Sequence, residues 1–178
     1  MNKPALMHGS DWSGQDVSGW WISEKLDGWR CLWTGREFLT REGNPLDAPA
    51  WFLAGMPAQP LDGELWAGPG TTHNDVNRAV LSGDWLRLSF RPFDVPALGV
   101  KIEAAQATLA SLALPAHVRP VTSWQMASTE SVIEAMRRVV AAGGEGVMAR
   151  KAGSGYAPNF RTEKLLKFKP AIVAAVTA

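Results

Sequence analysis

The sequence contains a single cysteine, Cys31, among 178 residues. One cysteine excludes an internal disulfide, and on its own it cannot supply a thiolate metal cluster. It lies within the apolar run Trp29–Trp33, so we expect a small buried residue and not a reactive thiol. The three histidines, His8, His73 and His117, have no ligand-like spacing, and we assign them no function.

A long apolar run, a secretory leader and a strong net charge are also missing. No apolar run approaches the ~18 residues of a transmembrane helix, and residues 1–10 lack the apolar core of a signal peptide. The formal net charge is +1, so a polyanion would have to meet a local basic patch. We therefore expect a cytoplasmic protein without a membrane partner. An exported protein whose leader had been removed would be periplasmic and would look the same.

The composition that remains is that of an ordinary folded domain. Apolar residues make up 46% of the chain and charged residues 20%, which argues against disorder. A length of 178 residues suits one domain with a sizeable core. Because no repeat or linker divides the chain, we predict one domain over residues 1–178.

The apolar patterns predict many short strands and a few helices. Alternation and short apolar runs predict strands over residues 20–22, 29–33, 37–40, 61–66, 86–90, 118–122, 145–150 and 164–169. Helical spacing predicts helices over residues 48–54, 74–81, 100–112 and 129–142. Residues 1–19 are predicted to be irregular. Without strict alternation of strands and helices, the pattern indicates an α+β fold with mainly antiparallel sheets flanked by helices.

The most chemically suggestive stretch is Ser-Glu-Lys-Leu-Asp-Gly-Trp-Arg over residues 23–30. It places Lys25 at a turn between two apolar runs, and Gly28 lets the backbone approach a ligand or adopt a conformation that other residues resist. A lysine among apolar neighbours can lose its proton more easily, which a covalent lysine nucleophile requires. A surface hairpin with a solvated lysine is the alternative.

Acidic and basic residues recur in later predicted strands. Glu64 and Glu145 lie in or beside two of them, and Lys167 and Lys169 alternate with apolar residues. In a strand, both ammonium groups would point to one face. Two cations on one face, together with the carboxylates, would suit a phosphate and a divalent metal. Taken singly, each feature also fits a solvated strand, where lysine discourages aggregation.

In order, these segments resemble the signature motifs of the covalent nucleotidyltransferases, which include DNA ligases and capping enzymes. The motifs are Lys-Leu-Asp-Gly-Trp-Arg (25–30, motif I), Leu-Asp-Gly-Glu-Leu (61–65, motif III), Phe-Asp (93–94, motif IIIa), Glu-Gly-Val-Met-Ala-Arg (145–150, motif IV) and Leu-Leu-Lys-Phe-Lys (165–169, motif V). Motifs IV and V are most similar to those of ATP-dependent DNA ligases. Residues 40–45 and 48–52 resemble the small bacterial ligases that lack extra DNA-binding domains. The resemblance implies the ATP-grasp-like covalent nucleotidyltransferase fold.

The resemblance also implies roles in phosphate chemistry. Lys25 would attack the α-phosphate of ATP and hold AMP as a phosphoramidate. Lys167 and Lys169 would bind that phosphate and complete the catalytic set. Glu145 and Glu64 would hold Mg²⁺, or Mn²⁺ in its place.

The same resemblance assigns the nucleoside and the DNA. Glu24 would read the adenine edge through its backbone, Phe93 would stack on the base, and Arg30 and Glu64 would bond the ribose. Arg41 would engage the 5′-phosphate of a nick. Nicked double-stranded DNA would be recognised by backbone and nick shape, without sequence specificity, by a monomer. Two arginines have open assignments: Arg150 and Arg161 would each contact the nucleotide or the DNA, or pair with a carboxylate. We expect Asp27 to fix the turn around Lys25.

DNA ligases of this kind carry an OB-fold domain with motif VI after motif V, and residues 170–178 contain no such motif. We therefore expect an isolated nucleotidyltransferase domain whose apolar tail looks cut off. Self-adenylation should be poor, whereas sealing of a nick that already carries AMP should survive. The alternatives are an RNA ligase or capping-type guanylyltransferase domain and a non-catalytic nucleotide- or nick-binding module.

Overall fold

The computed structural model describes residues 3–97 and 99–178. The strands within them are β1 (His8–Asp11), β2 (Trp21–Lys25), β3 (Trp29–Trp33), β4 (Phe38–Thr40), β5 (Pro45–Leu46), β6 (Leu61–Trp66), β7 (Ser89–Asp94), β8 (Ser123–Gln125), β9 (Gly146–Arg150) and β10 (Arg161–Phe168). The helices are α1 (Ala50–Leu53), α2 (His73–Ser82), α3 (Ile102–Ser111), α4 (Thr129–Ala141) and α5 (Pro170–Thr177). No helix in these ranges combines the length and apolarity needed to cross a membrane.

The strands form two five-stranded sheets. The first sheet has the order β1-β10-β9-β2-β8, and the second has the order β5-β4-β3-β6-β7. The pairing of β1 with β10 is parallel, and the other named pairings are antiparallel. The predicted α+β class with mainly antiparallel sheets and flanking helices is therefore confirmed.

Each sheet has its own hydrophobic core. In the first, Trp12 stacks on Phe168 with ring centroids 4.9 Å apart, and Val132 of α4 and Val173 of α5 join them. In the second, the core residues include Phe38, Phe52, Phe90 and Trp85, together with side chains of α2 and α3. Because helices cover one face of each sheet, the remaining faces are available to border a site between the sheets.

Two predicted strands are misplaced. Residues 86–90 were expected to be a strand, but Trp85–Arg87 forms a short 3-10 helix whose Leu86 is 84% exposed, and β7 begins only at Ser89. The strand then continues through Pro92, which an edge strand tolerates because its outer N–H groups need no partner. Residues 118–122 make only an isolated bridge at Val118, and the strand lies later, at β8.

Three further elements lie in segments where no regular structure was predicted. The two-residue strand β5 pairs with β4. β1, within residues 1–19, pairs with β10. The apolar tail forms α5, which begins after Lys169 with a proline at its first turn, where a missing N–H costs nothing. Val173 of this helix is buried in the core of the first sheet. Packing within this chain thus accounts for Val173, whereas Ala174, Ala175 and Val176 remain exposed.

Candidate active site

A cavity of about 710 Å³ lies between the two sheets. This volume falls in the roughly 300–1,000 Å³ range of small-molecule sites. The residues proposed from the sequence that line it are Glu24, Lys25, Arg30, Arg41, Glu64, Phe93, Arg150, Lys167 and Lys169. Glu145 and Arg161 do not line it directly, although Glu145 contacts two lysines that do. The fold therefore gathers most of the candidate residues at one place.

Lys25 and Glu145 are brought together by strand register. Lys25 ends β2 and pairs with Gly146, the first residue of β9, so Glu145 comes to lie beside it. Lys25 Nζ donates to Glu145 Oε2, and Lys169 Nζ forms an ion pair with Glu145 Oε1. Burial acts to raise the pKa of Glu145, but hydrogen bonds from Lys169 and Lys25 outweigh it and hold the pKa below its usual value. One carboxylate thus joins two ammonium groups.

Lys167 lies on the same wall of the cavity. Its strand neighbours Leu166 and Phe168 are fully buried in the core, whereas Lys167 and Lys169 line the cavity. Lys167 Nζ lies 2.9 Å from Asp11 Oδ1 of β1, an ion pair that the sequence did not suggest. The predicted sharing of one face by the two lysines is confirmed. Lys25, Lys167 and Lys169 bring three ammonium groups to this wall, which suits an anionic ligand.

The opposite wall carries Arg30, Glu64 and Phe93. Arg30 on β3 pairs in register with Glu64 on β6, and its Cζ lies 5.4 Å from the centroid of the Phe93 ring. Burial raises the pKa of Glu64 to about 7, against the opposing charges of Lys25 and Arg30. Glu64 can therefore act as either a donor or an acceptor of hydrogen bonds near neutral pH. An aromatic ring beside polar groups of this kind suits a base and its sugar.

A buried network behind this wall was not found from the sequence. Arg30 forms a bidentate pair with Asp62, in which Nε lies 3.0 Å from Oδ1 and Nη2 lies 2.6 Å from Oδ2. The Tyr156 hydroxyl donates to Asp62 Oδ2 at 2.7 Å and accepts from the Met7 N–H at 3.1 Å. Such charge-assisted bonds fix the plane of the guanidinium. Arg30 is thus held in position by residues far apart in the sequence.

Comparison with known proteins decides the family. No family model matches the chain. A DNA ligase of Haemophilus influenzae is 28% identical over 171 residues, which cover 93% of this chain and 63% of that ligase. A solved structure from a structure–function analysis of Lig E DNA ligases matches with a TM-score of 0.85 and 31% identity, covering 95% of this chain and 69% of that chain. The chain belongs to the DNA ligase family.

The ligase relationship accounts for the architecture. A Chlorella virus DNA ligase-adenylate structure has the same fold, with a TM-score of 0.72 and 21% identity over 95% of this chain and 69% of that one. The expected resemblance to the nucleotidyltransferase domain of ATP-dependent DNA ligases is therefore confirmed. It is favoured over the RNA ligase, capping-enzyme and non-catalytic alternatives. The chain spans slightly less than two thirds of the Haemophilus ligase.

The three arginines expected at DNA occupy different settings in this ligase fold. Arg150 is only 5% exposed, donates to Ser154 Oγ at 2.8 Å and forms an ion pair with Asp94 at 3.2 Å. This pairing is the carboxylate alternative that the sequence left open. Arg41 lines the cavity with an exposed side chain, and Arg161 donates to a backbone carbonyl of β1. Of these three arginines, Arg41 and Arg161 have exposed side chains that a ligand can reach.

Positive charge gathers where β1 meets the cavity. Burial lowers the pKa of His8, and the charges of Arg30, Arg41 and Arg161 lower it further. Of these arginines, Arg161 pairs in register with His8, and Arg41 lines the cavity with an exposed side chain, so both lie on this rim. Phosphate oxygens are the natural partners of such a rim.

The turn after Lys25 is shaped by a close approach between strands. A Cβ on Gly28 would lie 2.1 Å from a backbone carbonyl oxygen of β6, so only glycine fits. The close approach observed is thus to a neighbouring strand, and Gly28 also lines the cavity. Asp27 accepts from the His73 N–H at 3.3 Å, which ties the turn to the start of α2. Its contact supports a structural role.

The acidic residues of the site fit a metal ion that takes only one or two ligands from the protein. Glu64 and Glu145 offer the carboxylate oxygens that Mg²⁺ prefers. Within residues 3–97 and 99–178, no group of three or more His, Cys, Asp and Glu side chains is arranged to hold a metal. A Mg²⁺ ion commonly takes one or two carboxylates and completes its shell with water and substrate phosphates. The residues present fit that arrangement and not a dedicated protein cage.

Proposed function

We propose that residues 1–178 form the adenylation core of an ATP-dependent DNA ligase that seals nicked double-stranded DNA. The observation that carries the proposal is the meeting of Lys25, Glu145 and Lys169 in one ion-paired cluster at a cavity whose opposite wall presents Arg30 and Phe93. A reactive amine, phosphate-binding cations and an aromatic platform are the parts that nucleotidyl transfer requires.

In the proposed first step, the ammonium of Lys25 gives up one proton to water, and the resulting amine uses its lone pair to form a bond to the α-phosphorus of ATP. The nitrogen releases a second proton to water as the phosphoramidate forms. The bond from that phosphorus to the bridging oxygen breaks, and pyrophosphate leaves. Lys167 and Lys169 offset the negative charge on the α-phosphate as the bonds change. AMP then passes to the 5′-phosphate of the nick, and attack by the 3′-hydroxyl joins the strands and releases AMP.

The remaining groups of the proposed site bind and orient the substrates. Phe93 stacks on adenine, Glu24 reads its edge through the backbone, and Arg30 and Glu64 bond the ribose hydroxyls. Arg30 suits this role because the bidentate pair with Asp62 fixes its guanidinium. A Mg²⁺ or Mn²⁺ ion held by Glu145 and Glu64 would neutralise charge on the phosphates.

The nick would lie across the rim of the cavity. Arg41 and Arg161 contribute to the positive charge around His8, which supports contacts to phosphate oxygens and not to base edges. Arg41 is proposed to bind the 5′-phosphate of the nick. The buried pair with Asp94 supports the proposal that Arg150 stabilises the cavity wall. We propose that a monomer performs these steps.

Intact-mass measurement tests the covalent step. After incubation with ATP and Mg²⁺, we expect the protein to gain one AMP, and Lys25→Ala should abolish the gain. Lys151→Ala is the matched control, because Lys151 is exposed and outside the cavity. A mass gain that persists in Lys25→Ala would contradict the assignment of the nucleophile.

A nicked duplex that already carries AMP on its 5′-phosphate tests the later step separately. Because self-adenylation of this domain is expected to be weak, sealing of this substrate is the more sensitive readout. No joined product from the folded protein, at any concentration that binds the duplex, would contradict a ligase function.

A further inference from the structure

A carboxylate that has no part in the proposed function lies beside one of the proposed phosphate-binding lysines. Asp11 Oδ1 is 2.9 Å from Lys167 Nζ, and among the described residues this is the only ion pair that Lys167 forms. The hydrogen bond from Lys167 holds the pKa of Asp11 below its usual value, so the carboxylate is charged near neutral pH. Lys167 therefore meets a ligand while it is already paired with a fixed negative charge.

An irregularity in the pairing of β1 with β10 brings the two residues together. Gly9 pairs with Thr162. If that parallel register continued, Asp11 would lie opposite Lys164, whose side chain is exposed. The register shifts directly after Gly9, and Asp11 pairs with Lys167 instead. Irregularities of this kind re-aim side chains and are frequent next to active sites. The backbone pairing therefore selects which lysine the carboxylate meets.

Neighbouring residues hold the backbone of both partners in place. Trp12, which follows Asp11, stacks on Phe168 with ring centroids 4.9 Å apart. The Trp12 N–H donates to the Lys167 carbonyl at 3.1 Å. Leu166 and Phe168, on either side of Lys167, are fully buried. An ion pair between freely moving surface side chains contributes little. Because the two strands are anchored here, the carboxylate can restrict the directions that the ammonium takes.

The pairing leaves Lys167 able to bind a ligand. An ammonium group has three N–H donors, so one bond to Asp11 leaves two for phosphate oxygens. The other two lysines of this wall, Lys25 and Lys169, share the carboxylate of Glu145. Asp11 is therefore the separate partner of the third ammonium group.

We propose that Asp11 is a positioning residue for AMP transfer, which holds the Lys167 ammonium on the cavity wall where the phosphate of AMP binds. This inference rests on the proposed function. In the sealing step, the 3′-hydroxyl oxygen bonds to the 5′-phosphorus, and its proton passes to water. The bond from that phosphorus to the bridging oxygen breaks, and AMP leaves with the electron pair. An ammonium already held in place stabilises the charge that the leaving phosphate gains.

Removal of this carboxylate should lower the rate of sealing and not the affinity for DNA. Asp11 is itself negative, so its loss does not reduce the attraction of the wall for a polyanion. Its loss does free Lys167 to adopt other rotamers, and a misplaced group slows the chemical step. We expect Asp11→Asn, which keeps the size of the side chain, to lower the single-turnover rate about fivefold to tenfold. The dissociation constant of the duplex should stay within about twofold of that of the wild type.

A nicked duplex that already carries AMP on its 5′-phosphate measures both quantities. Fluorescence anisotropy without Mg²⁺ gives the dissociation constant, and quenched reactions with Mg²⁺ and saturating protein give the rate. Asp11→Glu returns a carboxylate at a position with room for it, since Asp11 is 63% exposed, and should recover part of the lost rate. Glu163→Gln is the matched control, because it removes the same charge from an exposed residue of β10 outside the cavity, and it should seal as the wild type does.

Three outcomes would overturn the proposal: an unchanged rate in Asp11→Asn, a loss confined to the dissociation constant, or an equal loss of rate in Glu163→Gln. Urea unfolding should give the same midpoint for Asp11→Asn and the wild type, because exposed ion pairs contribute little to stability. If Asp11→Asn does not fold, Asp11→Ser also removes the charge and should show the same loss of rate. These outcomes leave the proposed function intact, whereas a wild type that binds the duplex and does not seal it would overturn both.

Discussion

Removing the hydroxyl of Tyr156 should destabilise the protein through the network behind the proposed ribose site. This hydroxyl donates to Asp62 and accepts from the Met7 N–H, and it is buried with them. Tyr156→Phe keeps the ring, so no large cavity forms. It leaves the Met7 N–H without a partner and leaves the Asp62 carboxylate bonded to Arg30 alone.

The expected magnitude follows from these two losses. A hydrogen bond to a charged group is worth about 1.5–3 kcal/mol, and an unsatisfied buried donor costs about 1–3 kcal/mol. The phenylalanine recovers part of this because its ring no longer carries a hydroxyl that must be desolvated. We expect the free energy of unfolding to fall by about 2–3 kcal/mol. For a domain of this size, that corresponds to a urea midpoint lower by about 1 M.

Urea unfolding followed by circular dichroism measures this change. Thr108→Val is the control, because its hydroxyl is partly exposed and bonds its own helix, and it should stay within about 0.5 kcal/mol of the wild type. A double-mutant cycle with Asp62→Asn should show coupling between the two positions. A loss below about 0.5 kcal/mol for Tyr156→Phe, or strict additivity in the cycle, would refute the reasoning.

Three further results are expected. Gly28→Ala should lower the free energy of unfolding by more than about 2 kcal/mol, because its Cβ would lie 2.1 Å from a β6 carbonyl oxygen. Gly19→Ala, at φ 75° with open space around it, should lower it by about 1 kcal/mol, and equal losses in urea titrations would contradict this reasoning. Because the pKa of Glu64 is raised to about 7, its protonated form contributes stability that is full below pH 4.5 and is lost as the pH rises to about 7. The free energy of unfolding should therefore decline over that window, and Glu64→Gln should reduce the decline. A Glu64→Gln variant with the same pH profile as the wild type would contradict this assignment. Arg41→Ala should reduce the magnitude of the slope of the logarithm of the nicked-DNA binding constant against the logarithm of salt concentration by about 1. Arg36→Ala, at an exposed arginine, is the control, and an unchanged slope in Arg41→Ala would show that Arg41 does not contact the DNA.

Local sequence patterns predicted the elements whose signal is local. Helix α4 begins as expected, with Ser128 Oγ accepting from the Ser131 N–H, and the alternation at the end of β10 separates Leu166 and Phe168 from Lys167. These features depend on neighbours within a few residues. Their prediction needs no knowledge of the rest of the fold.

The parts that the sequence did not reveal depend on distant partners. β1 reads His-Gly-Ser-Asp, which has no apolar period, and it becomes a strand because β10 supplies its hydrogen bonds. Asp62 and Tyr156 are 94 positions apart, and neither stands in a pattern that indicates the other. A buried carboxylate in a strand that is mostly apolar is the one signal that could have suggested a partner.

The strand register that pairs Lys25 with Gly146 should respond differently to substitutions than to insertions or deletions. Substitutions that preserve the volume of the two cores leave this pairing in place. An inserted or deleted residue within β9 shifts the strand by one position and turns every following side chain to the opposite face. Met148 and Arg150, which line the cavity, would exchange places with Val147 and Ala149, which are buried in the core of the first sheet. The proposed reactive centre should therefore accept many replacements along β9 and no change in the length of that strand.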